Sequence, residues 1–377
     1  MRKIKVPFVN ILTILVFLPF IQACISSTQL NVIQPGLLTL PPNIDTIAII
    51  NRFVPSQNYS GNFQDNGQGF NNNYGNSVFG DLSSFNLSAS DSCLGSLFYI
   101  MGYSPRFKEE LIRKEMVHDG NDFFPPVLSP LVVQNVCTEN HSQALVVLEG
   151  FYSNSTINTQ MHSSQVPYQV PYYVNGVTYY RTYYRTVYYY TATLSVFYSA
   201  GFRLYQASDG SMLDEIRIDK SMAFSRDGSS PNTAIASLPG VAFIIAKMAA
   251  TISVDYAQRI APLWKSVTRQ YFTTSNKFLE QGAQFVDQKN WTEARNAWQQ
   301  LYNTGKPGQK GLAAFNLALS YEMIEGDLYK ARDLASESYQ LLYTHNRNGE
   351  AATATSYIDT LNARINLIPK LDQQLDK

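Results

Sequence analysis

The chain has 377 residues, with 29 basic and 29 acidic side chains and no formal net charge. That length suffices for two domains and a sizeable core, and the even balance lacks the electrostatic footprint of a nucleic-acid binder. Charged residues make up only 15% against 25 tyrosines and 21 phenylalanines, which suits an exported binding surface more than a crowded cytosolic enzyme.

The first residues read as a targeting segment. Arg2, Lys3 and Lys5 precede an apolar run from Val6 to Phe20, too short to span a bilayer comfortably. Ile21-Gln22-Ala23-Cys24 follows, with an aliphatic and a small residue placed before the cysteine. That pattern resembles a bacterial lipobox, which implies removal of residues 1–23 and acylation of Cys24; an ordinary secretory signal with a chance cysteine is the plainer alternative. Acyl chains on Cys24 hold a protein on a membrane almost irreversibly. No aspartate and no acidic run follow Cys24, so the expected address is the outer membrane, facing the periplasm.

Residues 24–42, rich in Ser, Thr and Pro, are expected to be a tether, and residues 43–235 an α/β domain. Ile44-Asp45-Thr46-Ile47-Ala48-Ile49-Ile50-Asn51 is a short apolar run between turn signals, the signature of a fully buried strand. From Pro55 to Ser84 the chain is Asn-, Gly- and Gln-rich and unable to bury much apolar surface. Ser88 to Asp91 offer caps for a helix whose Cys93, Leu94, Leu97, Phe98 and Met101 recur at helical spacing. Arg106–Met116 is expected to be extended, 130–137 helical, and 144–151 a second buried strand. Cys93 and Cys137 each fall in a predicted helix; an exported protein permits their pairing, and two free buried thiols are the equal alternative.

Asn175-Gly176 between two β-rich arms is the strongest short-range hairpin signal. It predicts a projecting Tyr-rich hairpin over 166–190, followed by a second hairpin around Asp209-Gly210. Residues 240–272 read as connecting helices: Val241–Ile260 is apolar nearly all round but interrupted by Lys247, Asp255 and Arg259, hence a buried helix rather than a membrane span. Pro262 breaks it, and Leu263–Phe272 is expected to resume as helix.

Residues 273–377 repeat. Phe278, Gly282, Phe285, Ala294 and Trp298 align with Ala314, Ala318, Tyr321, Ala331 and Ala335 at an offset of 36 or 37 residues. Small residues at helix crossings with an aromatic three positions on resemble a degenerate tetratricopeptide pattern; a plain helical bundle is the alternative. The expected class is therefore α+β, with an α/β domain carrying a mixed sheet and a tetratricopeptide-like tail.

The order of Leu40-Pro41-Pro42, Ser104-Pro105-Arg106-Phe107, Phe202-Arg203-Leu204-Tyr205 and Ala257-Gln258-Arg259-Ile260-Ala261-Pro262-Leu263-Trp264 resembles a family of uncharacterised Bacteroidota lipoproteins. By layout the front half is also similar to lipoproteins that activate cell-wall synthases or build the curli secretion pore, a fold-level analogy.

No phosphate-binding Gly loop, HExxH or nucleophile elbow is present. His118 beside Asp119 and Asp122 reads as a solvated turn, and His141 as a loop residue. Arg52, just past the first strand, occupies a place where open α/β sheets bind ligands, although a carboxylate partner explains it as well. Tyr179, Arg181, Tyr183 and Arg185 share one strand face and suit a peptide or glycan, although a twisted hairpin stabilised by its own cross-strand aromatic pairs explains the Tyr-rich arm as well. The expectation is a non-enzymatic envelope scaffold without cofactor or metal, bound to the membrane by its lipid and to a protein partner through the helical tail. A subunit of an oligomeric secretion complex, or a glycan-binding or glycan-hydrolysing protein, are the alternatives.

Overall fold

The computed structural model describes residues 24–53, 82–111, 123–274 and 276–375. In chain order its elements are β1 (Ile25–Gln34), β2 (Thr46–Asn51), α1 (Leu82–Met101), β3 (Lys108–Leu111), α2 (Pro130–Glu139), β4 (Ala144–Val174), β5 (Val177–Gln206), β6 (Met212–Gly228), α3 (Pro231–Ala236), α4 (Val241–Ile260), β7 (Leu263–Phe272), α5 (Lys277–Asp287), α6 (Trp291–Thr304), α7 (Pro307–Ile324), α8 (Leu328–Thr344), α9 (Asn348–Ile365) and α10 (Ile368–Leu375). The class is α+β with a helical C-terminal region. Two compact units divide the chain: residues 33–264 with 369–377, and residues up to 32 with 265–368.

The larger unit is built on a five-stranded sheet of order β3-β2-β4-β5-β6. β2 pairs parallel with β3 and with β4, whereas β4, β5 and β6 form an antiparallel meander. Because successive side chains on a strand point to opposite faces, β2 feeds two cores at once. Ile47 and Ile49 join Val146, Leu148, Phe202 and Leu204 under α1 and α4, while Ala48 and Ile50 join Leu145, Val147 and Tyr205 against α2. Being covered on both faces explains the uninterrupted apolar run that first marked this strand. Phe202 stacks on Tyr256 of α4 with ring centroids 4.1 Å apart. Two of the charges of α4 are paired: Arg259 donates to both oxygens of Asp214 at 2.7 and 2.9 Å, and Asp255 meets Lys220. Among the described residues no helix is long and apolar enough to cross a membrane.

Cys93 and Cys137 are both free and buried. They belong to the clusters on opposite faces of the sheet, so the sheet itself lies between the two thiols.

Three expectations need correction. Residues 24–42 are not a loose tether. β1 pairs with β7 in a two-stranded sheet, and Gln29 bonds Thr268 and Ser266 across it. The backbone at 36–38 is then clasped by α10, where Gln374 receives the Gly36 N–H and donates to the Gly36 and Leu38 carbonyls. Leu263–Phe272 is β7, not helix: Ala261 is extended at φ −133° and ψ 144°, and the chain continues that way into Val267, Thr268 and Tyr271. Lastly, Ser88–Asp91 lie inside α1, which starts at Leu82, and serine hydroxyls there turn back onto helix carbonyls, Ser90 to Leu87 and Ser92 to Ser88. Of the Asn-rich stretch, residues 54–81 lie outside the described residues, as does His118 with its neighbours.

The smaller unit pairs successive antiparallel helices, α5 with α6, α6 with α7, α7 with α8 and α8 with α9. Asn276, Asn290 and Asp327 cap α5, α6 and α8 by accepting backbone N–H groups. The aligned positions exchange volume. A Cβ on Gly282 would sit 2.1 Å from the Trp298 ring nitrogen, whereas the equivalent positions are both alanine, Ala318 and Ala335, and all four are buried.

Candidate docking ribbon and the buried carboxylates

β4 begins as a core strand and ends exposed, and β5 begins exposed and ends in the core. Ala144–Phe151 is wholly buried, the next residues alternate, and beyond Met161 exposure dominates both faces. β6 stops pairing at Tyr190 opposite Gly228. From there to the turn, β4 and β5 continue as a two-stranded ribbon that no other described strand joins, with Met161 opposite Tyr190 and Val174 opposite Val177. Thirteen steps at about 3.3 Å carry it roughly 40 Å outward. Its tip has φ 49° at Asn175 and 78° at Gly176, the two positive values required by the tight turn that matches strand twist. The hairpin expected over 166–190 is thus the outer part of strands that run from 144 to 206.

Tyr179, Arg181, Tyr183 and Arg185 do lie on one face. Their cross-strand neighbours are Tyr172, Val170, Tyr168 and Val166. Tyr172 stacks on Tyr179 at 5.7 Å, Tyr168 on Tyr183 at 5.9 Å, and His162 on Tyr189 at 5.1 Å, while the Arg181 guanidinium lies 5.4 Å from the Tyr172 ring. Cross-strand aromatic pairs of this kind are what hold a ribbon with no core beneath it. The opposite face carries Tyr173, Tyr180, Tyr184 and Tyr188, between 57% and 75% exposed.

Arg52 lies elsewhere, and its charge is already matched. The register shifts between Leu148 and Gly150, so Glu149 is the extra residue of a β-bulge. Its side chain is wholly buried and meets Arg52 at 3.1 Å, Arg203 at 3.4 Å and the Tyr205 hydroxyl at 3.3 Å. Both guanidiniums also donate to backbone carbonyls, Arg52 to Pro126 at 2.8 Å and Arg203 to Pro125 at 2.6 Å. Burial pushes the Glu149 carboxyl above its ordinary pKa, against the pull of Arg52 and Arg203. The cluster fastens residues 125–126 to the sheet; it is a clamp in which Arg52 already has its anion. Sequence reading missed Glu149, although a glutamate ending an apolar run before Gly150 was the available signal.

A comparable centre stands in the helical unit. Glu322 of α7 has no exposed side-chain area and receives Arg269 of β7 at 2.9 Å, the Tyr357 hydroxyl at 2.6 Å and Arg364 of α9. On the surface of α8 and α9, Tyr339, Tyr343, Asn346, Asn348 and Thr355 line an open depression of about 440 Å³. Among the described residues no group of three or more His, Cys, Asp or Glu is placed to hold a metal. His141 is an exposed turn residue at φ 50°.

Cys24 is exposed and directly precedes β1. Its backbone nitrogen donates to the Thr274 hydroxyl at 2.7 Å, and its carbonyl accepts from the Thr273 N–H at 3.0 Å.

Residues 44–272 match the family described as Domain of unknown function (DUF8603). The chain belongs to that family. Residues 280–363 match a second one, Domain of unknown function (DUF6340). No curated protein matches the chain. The DUF8603 segment runs from β2 to β7 and so contains the ribbon, Arg52 and the Glu149 clamp. The DUF6340 segment takes in most of α5 through most of α9, including Glu322 and Tyr357. Both families are defined only as domains of unknown function, so the functional reading must come from the residues.

Proposed function

We propose that this protein is a lipid-anchored envelope scaffold that works by docking rather than by catalysis. In this reading Cys24 carries the lipid, the protein stands on the periplasmic side of the outer membrane, and the helical tail has a tetratricopeptide-like arrangement. The observation that carries the proposal is the ribbon. It extends roughly 40 Å with exposed Tyr on both faces and exposed Val on one, and its residues beyond Met161 belong to neither core of its unit. Isolated two-stranded hairpins are marginal in water, and large exposed apolar surface marks interaction sites. Tyrosine gives wide, rigid contact area at small entropic cost. The depression beside Tyr339 and Tyr343 offers a second docking surface. The anchor reading has chemical support at Cys24: an acylated amine is an amide that retains one N–H, so its bond to Thr274 survives modification.

Two measurements test this. A fatty acid bearing an alkyne should label the wild-type protein and not Cys24→Ser; equal labelling refutes the anchor. A shortened ribbon, with His162 joined to Tyr189 through Asn-Gly in place of 163–188, keeps the parity of the Val174–Val177 closing pair; it should unfold at the wild-type temperature yet lose its cross-links to envelope proteins. Retention of those cross-links removes the ribbon from the function. Deleting 273–377 is a poorer probe, because it also removes Gln374, which clasps residues 36–38.

A further inference from the structure

The two edges of the ribbon differ. On β4, Pro167 and Pro171 lack the N–H that a ladder needs. They lie four residues apart, hence on the same side of the strand, and an unbroken ladder accommodates proline only where the missing N–H points away from the partner strand. The outer edge of β4 is therefore barred at two places, a device that blocks strand addition. The register puts Pro167 opposite Tyr184 and Pro171 opposite Tyr180. In such pairs both residues turn their backbone groups outward. So Thr178, Tyr180, Thr182, Tyr184, Thr186 and Tyr188 present N–H and C=O groups along the outer edge of β5. That edge contains no proline and, among the described residues, no strand pairs with it between Val177 and Tyr189.

We infer that the β5 edge from Val177 to Tyr189 accepts an extended acidic segment of a partner protein as a third strand. The inference rests on the docking reading above and names its mode and chemistry. Charge selects the occupant. Residues 162–189 contain Arg181 and Arg185 and no acidic side chain. The two arginines share a face, so an added strand with carboxylates four residues apart sets one beside each. A second copy would instead bring two more arginines and no acid to the same sheet. Backbone bonds supply the affinity in this mode and alternate side chains supply the choice of partner.

The test uses the full mature chain carrying Cys24→Ser and synthetic nine-residue peptides of alternating Thr and Val, with Glu, Lys or Gln at the two positions four apart. The Glu peptide should bind about tenfold or more tightly than the Lys peptide. On binding, hydrogen exchange should slow at the outward-facing amides of Tyr180, Thr182 and Tyr184, and not at those of Tyr179, Arg181 and Tyr183. Reversing both charges, Arg181→Glu with Arg185→Glu, should invert the peptide preference. Thr182→Pro should abolish binding while leaving the ribbon paired, since its N–H faces outward. Equal affinity for all three peptides, unchanged binding by Thr182→Pro, or a concentration-dependent dimer or ring by sedimentation that hides the same amides overturns the inference. If the shortened ribbon loses its envelope cross-links while the Glu peptide fails to bind, docking stands and edge pairing falls.

Discussion

Glu322→Ala isolates the best-defined charge centre of the helical unit. The carboxylate has no exposed side-chain area, and Arg269, its closest cationic partner by burial, has only 9%. Removing the glutamate leaves that guanidinium buried without an anion and the Tyr357 hydroxyl without its acceptor. Breaking a buried pair from one side costs about 3–5 kcal/mol. Arg364, at 25% exposure, can turn to water, which favours the lower end. With a urea slope of about 2 kcal/mol per molar, the midpoint should fall by roughly 2 M. Tryptophan fluorescence reports it, because Trp291 and Trp298 belong to this cluster. Replacing Glu322 and Arg269 together by Met should recover most of the loss, since the one cation left without its anion, Arg364, can reach water. A loss below about 1 kcal/mol, or a double variant worse than the single one, would refute the claim that desolvated charge governs the site.

Gly282→Ala should destabilise the same transition by about 1–3 kcal/mol through overpacking, with Trp298→Phe relieving part of it, as denaturation midpoints will register. Burial pushes the Cys93 thiol from 9.0 up to about 12, against the bond from Ser253. The unfolded chain therefore releases that proton first, so stability should fall as pH rises from about 9 towards 12. Cys93→Ala should flatten that loss in a pH series of urea titrations, and the native thiol should resist alkylation until the protein unfolds.

What was legible in the sequence was local. The β2 run needs no partner to be recognised, because burial on both faces leaves it apolar throughout. Asn175-Gly176 declares its turn in two residues. β1 and β7 failed the same inspection for a physical reason. They pair with each other across more than two hundred residues of chain; the burial of β1 alternates, but its inner positions include Ser26 and Thr28, so hydropathy does not display it, and β7 has no regular alternation. Composition then reads Ser and Thr in β1 as a tether, and the preceding helix draws β7 into its own pattern. Glu149 was hidden differently: a bulge is a mismatch between two strands, and one strand read alone cannot display it.

The ribbon's register is set at both ends, by the Asn175-Gly176 turn and by the buried strands at its base. Alternating Tyr and Thr repeats would pair almost as well after a slip of two, but the ladder runs unbroken from the buried residues beside Ala200 to the turn. This makes the proline argument testable by length alone. Inserting one residue in each arm, between Ser164 and Gln165 and between Thr186 and Val187, exchanges inward and outward positions beyond the insertion. Pro167 and Pro171 would then occupy ladder positions, forfeiting two bonds at about 0.5–1.5 kcal/mol each. Two residues in each arm restore the parity. Hydrogen exchange at Tyr179, Arg181 and Tyr183 should accelerate severalfold in the first variant and stay at the wild-type rate in the second. Equal rates in both would mean that the prolines do not assign the edges, and the open edge of β5 would lose its basis.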